Sequence, residues 1–259
     1  TAPAQYDPLN LPLCLHNSIL HKAESVMQAE SHAEAEHHAK ASGINGISIW
    51  SIIWPTSFPL DFMHLVFENV VPLLLDLWLG VSKHCVEGDA FTLLHAIQTD
   101  VAKRVAKSGN TIPGAFGQHV LHLLNKRHEF MAEAYMLRIT QLAPVVLLRQ
   151  FTNEAYYHHL VELSCFINDC LSFSHHAGFM TMLRKCLVKW VLQYKQLYYQ
   201  GSTDHVGLCP VTVHSLLHLA DCMEWTGPLW TTWAFPMERF CSQLQCAVTG
   251  CLNPYPGID

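Results

Sequence analysis

Within the segment FPLDFMHLVFENV, Asp61, His64 and Glu68 stand at positions i, i+3 and i+7. At about 100° per residue on an α-helix these side chains fall within roughly 60° of one another, on one side of the rod. A carboxylate beside an imidazole orients the ring and raises its basicity, which suits a metal ligand or an acid–base pair. The simpler reading places Asp61 in the first helical turn, where it favours the helix dipole, and makes His64 and Glu68 an (i, i+4) pair. Spacing alone leaves both readings open and favours the second.

A second stripe lies in VHSLLHLADCMEW, where His214, His218 and Asp221 occupy i, i+4 and i+7. Two imidazoles one turn apart can grip one metal ion from a single helix. No Glu follows His214, so the metalloprotease form of this spacing is absent. The plainer reading is a pair of satisfied histidines in a helix–helix contact, because a chain with 18 His produces this spacing by chance. The third constellation is GPLWTTWAFPMERF. Trp230, Trp233 and Phe235 precede Pro236, which presets a helix start and puts Glu238 and Arg239 in the first turn. A carboxylate there faces a rigid aromatic platform. Alternatively, Glu238 simply favours the helix N-terminus and Arg239 is solvated or paired.

The elements that must position these groups read almost entirely as helices, and the predicted class is all-α. The Ala/Glu/His-rich stretch 17–42 reads as one helix ended by Gly43, followed by a loop over 44–58 punctuated by Gly46 and Pro55. A long apolar helix over 59–79 follows, with Gly80 as its C′ residue and a kink at Pro72. Asp89 is expected to cap a helix that runs through Lys107, and Pro113, Gly114 and Gly117 to make a turn. Further helical patterns cover 119–126, 129–142, 153–173, 177–200, 212–225 and 236–248, while PVVLLRQF at 144–151 is the one candidate strand. The expected organisation is an N-terminal helix and Gly/Pro loop arm (1–58), a helical domain (59–249) and a short tail (250–259).

Composition limits the function. Of 259 residues, half are hydrophobic and 14% are charged, enough apolar material for a real core and too much for a disordered chain. Lys and Arg number 15 against 21 Asp and Glu, giving a formal charge of −6, which speaks against a nucleic-acid-coating surface. The His outnumber Lys and Arg together, so the charge depends strongly on pH around 6. The most apolar stretch, 58–81, is interrupted by Asp61, His64, Glu68 and Asp76, which argues against a membrane span. No basic n-region followed by an apolar run opens the given sequence, so no signal peptide is expected within it. The ten Cys include no Cys-x-x-Cys pair and read as buried, reduced thiols of an intracellular protein. Dinucleotide, P-loop and nucleophile-elbow motifs are all absent.

Taken together, these blocks resemble CACTA-type (En/Spm-like) transposases of the form abundant in mushroom-forming fungi. The segment GINGISIWSIIWPTSFPLDFMHLVFENVVPLLLDLWLG carries the resemblance first. IPGAF at 112–116, MAEAYMLRITQLAPVVLLRQF at 131–151 and TVHSLLHLADCMEWTGPLWTTWAFPMERFCSQLQ at 212–245 follow in order, so it spans roughly 16–246. The resemblance implies an RNase-H-type nuclease in which three acidic residues hold two Mg²⁺ or Mn²⁺ ions for DNA strand transfer. It implies that Asp61 and His64 form the Asp/Cys-x-x-His motif of a helical insertion, and that Glu238 is the third acid and a metal ligand. The two earlier Asp would lie upstream of Thr1, and no Lys or Arg follows Arg239, where relatives are basic.

Three expectations about function follow. The first is a transposase-derived helical domain, a catalytically incomplete remnant with no cofactor of its own. The second is the C-terminal part of an active metal-dependent transposase, nuclear, with transposon DNA and an N-terminal nuclease core as partners. The third is a co-opted interaction or metal-binding module built on the His stripes. None of the three involves a membrane.

Overall fold

Ser31 divides the expected first helix in two. The run Ser31-His-Ala-Glu34 is a capping signature inside a strongly helical composition. The Ser31 hydroxyl accepts the Glu34 N–H at 3.2 Å, and the Glu34 carboxylate accepts the Glu30 N–H at 3.0 Å. The result is α1 (His16–Met27) and α2 (His32–Ser42), which pack on each other and are closed by Gly43 at φ +73°. The fold is a computed structural model that describes residues 6–46, 53, 55–109, 111–113, 124 and 130–247. The turn expected at Gly114 and Gly117, the helix expected at 119–126 apart from residue 124, and the 250–259 tail lie outside the described residues.

The long apolar helix is present, but it is not α-helical throughout. Met63–Val70 winds as a π-helix and runs into α3 (Val71–Leu79). In the wide turns the Val71 N–H reaches back five residues, to the Val66 carbonyl. Pro72 explains the location: it has no N–H to give, and its ring crowds the carbonyl four residues back in a regular α-helix. The kink expected at Pro72 therefore takes the form of a widened turn just before it. Asn69 Nδ2 donates to the His64 carbonyl at 2.7 Å within the same turns. At the far end, the Gly80 N–H bonds the Leu77 carbonyl (3.1 Å) and the Val81 N–H the Asp76 carbonyl (3.0 Å). This is the double closure that needs a left-handed residue, and Gly80 supplies it at φ +67°.

Asp89 does not cap the next helix. α4 starts later, at His95, and runs to Ser108 with Lys107 in its last turn. Asp89 instead accepts the Val86 N–H at 2.7 Å and lies 3.2 Å from Nε2 of buried His205, close enough to pair without the alignment of a hydrogen bond. The stretch 144–151 is not a strand. α5 (Ala132–Leu137) passes through a π-helical segment into α6 (Ala143–Val146), and turns follow, with Arg149 at φ +59°. Among the described residues there is no strand, and the fold is all-α.

The longest helices then form the centre. α7 (Glu154–Cys170) is capped by Asn153, whose Oδ1 accepts the Ala155 N–H at 2.9 Å. α8 (Phe179–Tyr194) continues as π turns through Lys195–Tyr199 and ends where Gln200 and Gly201 turn left-handed. The single helix expected over 212–225 is three pieces: α9 (Val211–Ser215), a 3₁₀ turn (Leu216–His218) and α10 (Leu219–Thr226). α11 (Phe235–Ala247) closes the described chain.

The core gathers the inward faces of the π segment, α3, α7, α8 and α10 around Leu74, Trp78, Leu160, Leu183, Trp190 and Leu219. Its aromatic centre has few unpaired polar tips. Trp78 Nε1 donates to the Tyr198 hydroxyl at 3.1 Å, Trp190 Nε1 to the His159 carbonyl at 3.0 Å, and the Tyr194 hydroxyl to the Leu208 carbonyl at 2.7 Å. The His159 ring stacks on Trp190 with centroids 4.2 Å apart. No helix of the described residues is long and apolar enough to cross a membrane. The described cysteines are free thiols, but only Cys170 and Cys222 are buried, while Cys14, Cys165, Cys186, Cys209, Cys241 and Cys246 are exposed. The expectation of uniformly buried thiols is therefore corrected. Several Cys sit on outward faces of helices whose apolar stripe is already complete, as Cys165 and Cys186 do on α7 and α8.

Candidate metal centre

Asp61 stands just before the π segment and ties two distant pieces of chain together. Its Oδ1 accepts the N–H of Met63 at 3.0 Å, closing a local turn. The same oxygen accepts the N–H of Ala234 at 3.2 Å. Ala234 immediately precedes α11, and its carbonyl takes the Glu238 N–H at 2.9 Å. One carboxylate oxygen thus serves donors at the N-terminal ends of two helical segments, where partial positive charge accumulates.

Asp61 Oδ2 and His64 Nδ1 share a hydrogen bond. This fixes the imidazole and directs Nε2 outward. His64 Nε2 lies 3.0 Å from Glu238 Oε1 and 3.7 Å from Glu68 Oε2. Both plain readings of the sequence are therefore present, the (i, i+4) pair and the acid in the first turn of α11, and they occur at one place. The Asp61 carboxylate against Nδ1 holds His64 above the ordinary imidazole range. Burial is the next largest effect and opposes this, while the charges of Asp61, Glu68 and Glu238 add to it. His64 and Glu238 keep about half of their side-chain surface open, at 45% and 50%, so the cluster is accessible from solvent.

Apolar contacts hold α11 in this position. Phe235 packs on Phe67 of the π segment with centroids 6.3 Å apart, and Trp233 meets Phe235 edge to face at 4.9 Å. Of the aromatic residues expected to form a platform, Trp233 and Phe235 come together, and Phe67 joins them. Trp230 turns elsewhere and packs against Phe173. Pro236 is the second residue of α11, and Glu238 lies in its first turn, as the motif predicts. Arg239 is exposed and takes no part in the cluster.

The second stripe is organised differently. His214 belongs to α9 and His218 ends the 3₁₀ turn, and their rings meet edge to face at 5.4 Å. Asp221 Oδ1 accepts from Arg184 of α8 at 2.7 Å, while its Oδ2 is 3.6 Å from His218 Nδ1. Arg184 also binds Glu224 at 2.9 Å. A guanidinium in this position already neutralises Asp221, so the stripe forms a helix–helix contact. His214 is held below the ordinary imidazole range by burial first, then by His218 and Lys195.

Two features had no signal in the sequence. One is Arg184, which lies far from the stripe it neutralises. The other is the Ala234 N–H, a backbone donor that no side-chain pattern records.

Among the described residues, His64, Glu68 and Glu238 are the group whose ligand atoms all fall within 4.8 Å of one another. One imidazole and two carboxylates suit one divalent ion. Two ions about 3.5–4 Å apart would need further carboxylate oxygens. The nearest other acid is Asp61, and both its oxygens are engaged. The described residues therefore fit one ion and not the two that the transposase resemblance implies. Compared with known proteins, the chain matches no family model, no curated protein and no solved structure.

Proposed function

We propose that this chain is a transposase-derived helical domain, akin to the insertion and C-terminal portion of CACTA-type transposases, that does not cut DNA on its own residues. The observation that supports this reading is the approach of His64 Nε2 to Glu238 Oε1 at 3.0 Å. The resemblance singles out these two residues from separate blocks, and they share one cluster. In this reading Glu238 is the third acid, Asp61 positions His64, and His64 positions Glu238. The two further Asp that such a nuclease requires are not among the residues gathered here. The formal charge of −6 also disfavours tight DNA binding by these 259 residues alone.

The test is a plasmid-nicking assay with Mg²⁺ or Mn²⁺. The 259-residue chain is expected to leave supercoiled DNA intact. Nicking by the wild-type chain that disappears in Glu238→Gln would overturn the inactive reading in favour of an active transposase. Reading the encoding DNA upstream of Thr1 extends the test. Two in-frame Asp codons at suitable spacing, with cleavage by that longer product, would restore the enzyme. Cleavage by the longer product that is indifferent to Glu238→Gln would remove Glu238 as the third acid.

A further inference from the structure

We propose that His64, Glu68 and Glu238 form a mononuclear binding site for a divalent first-row metal ion of the Mn²⁺ class, with Asp61 as the positioning residue behind His64. The inference goes beyond the transposase reading, which also uses Asp61, His64 and Glu238 but gives the metal-binding role to Glu238 alone. It would hold in a chain of any ancestry.

The geometry carries the argument. Asp61 Oδ2 occupies His64 Nδ1, and Asp61 is itself held by the Met63 and Ala234 N–H groups. Metal-binding imidazoles are commonly prepared in this way, with a carboxylate on one ring nitrogen and the lone pair of the other aimed at the ion. Here that second nitrogen faces two carboxylate oxygens at 3.0 Å and 3.7 Å. Donor atoms each about 2.1 Å from one ion stand roughly 3–3.5 Å apart, so the two distances from His64 need little adjustment, and the two carboxylate oxygens, within 4.8 Å of each other, would draw together around a metal. With Nδ1 carrying the proton, Nε2, Glu68 and Glu238 present three acceptors and no donor to a common point. A cation satisfies that arrangement, whether a metal ion or a second proton on the ring.

The ligand chemistry narrows the ion. One nitrogen and two carboxylates form a mixed set. Imidazole favours first-row transition ions over Mg²⁺ and Ca²⁺, while the oxygens accept Mn²⁺ readily. Three protein ligands with half-open side chains leave coordination positions for water or an incoming oxygen ligand. The two helical segments that carry the ligands would also be linked through the ion, because Glu238 comes from α11 and the other two from the π segment.

The probe must ignore the exposed thiols, which would take up Zn²⁺. Mn²⁺ is therefore titrated into the purified chain near neutral pH and followed by electron paramagnetic resonance, with pulsed detection of ¹⁴N coupling. The expected result is saturable binding of one Mn²⁺ per chain with an imidazole nitrogen coupled to it. Glu68→Gln and Glu238→Gln should each weaken binding at least tenfold, and His64→Gln should remove the nitrogen coupling. Asp61→Asn keeps an acceptor for both backbone donors and should weaken binding about 10–100-fold while the chain stays folded. His214→Ala should change nothing. Mn²⁺ binding no stronger than that of a His64→Gln/Glu68→Gln double variant would overturn the site. Binding that needs Glu238 but shows no nitrogen coupling and ignores Glu68→Gln would also overturn it, while leaving Glu238 available as a transposase acid. The full pattern of coupling, together with a longer product whose cleavage ignores Glu238→Gln, would uphold the metal site and remove the transposase role.

Discussion

Asp61 Oδ1 accepts the backbone N–H of Ala234 at 3.2 Å, across 173 positions of sequence. This is the polar counterpart of the Phe67–Phe235 contact, and together they dock α11 on the π segment. Replacing Asp61 by Ala strands two backbone donors at helix starts, which should lower stability by about 1–2 kcal/mol. Asp61→Asn retains the Oδ1 acceptor and should lose less than half as much. Urea denaturation of the two variants beside the wild type measures the difference, and equal losses would show that the acceptor is unimportant.

Trp78 and Tyr198 present a buried pair with no solvent to replace either partner. Both are fully buried, and the Tyr198 hydroxyl is the acceptor for the Trp78 indole N–H at 3.1 Å. Tyr198→Phe removes one oxygen and leaves the N–H without an acceptor in an aromatic core. The expected cost is about 1–3 kcal/mol. It should appear as a lower denaturation midpoint with an unchanged slope, because the surface exposed on unfolding hardly changes.

His159 makes stability depend on pH. Its ring is buried against Trp190, Nε2 lies 3.1 Å from the Trp190 carbonyl, and burial pushes its pKa down to about 4. In the unfolded chain the ring takes a proton near its ordinary pKa of about 6.5, while the folded chain resists protonation until about 4. The unfolded state therefore binds more protons in this window. Stability is full above pH 6.5 and falls as pH drops towards 4, by on the order of 3 kcal/mol from this group. Urea midpoints recorded from pH 7 to pH 4 should show the decline, and His159→Phe should flatten it at the expense of one hydrogen bond.

Gly80 is replaceable only at a cost. An added Cβ would meet Thr92 Cγ2 at 2.8 Å, and the backbone is left-handed at φ +67°. Thr92 is not free to swing aside, because its hydroxyl donates to the Leu77 carbonyl at 3.3 Å. Gly80→Ala should cost about 1–2 kcal/mol. Thr92→Ser in the same chain should recover the steric part and leave the backbone part, which thermal melts of the single and double variants would separate.

The residues of the Asp61–His64–Glu68–Glu238 cluster were legible one block at a time. Spacing put Asp61, His64 and Glu68 on one side of a helix, and Pro236 put Glu238 in a first turn. Their meeting was not legible, because it depends on the Ala234 N–H and on the fit of Phe235 against Phe67. The His214 stripe misled for a related reason. Its spacing is right for a metal, but Arg184 on α8 supplies the cation instead. The 3₁₀ turn at Leu216–His218 has no Gly or Pro to announce it, so tertiary packing sets it. Ser31 is the opposite case: the capping signature was written in the chain, and the helical composition on both sides concealed it. Asp89 had the right residue type for a cap, but pairing with buried His205 used it elsewhere.

The widened turns at Met63–Val70 have a consequence for how this chain tolerates change. A turn closed over five residues holds one more residue than a turn closed over four, so it shifts the phase of everything before it by roughly 100° relative to an unbroken α-helix. Downstream, Leu74, Leu77 and Trp78 are locked into the core and cannot rotate. Removing one residue between Met63 and Val70 would leave that end in place and swing Asp61 and His64 away from Ala234 and Glu238. In this segment the number of residues constrains the molecule as strictly as their identity, and an indel that spares every named side chain would still separate the two halves of the cluster.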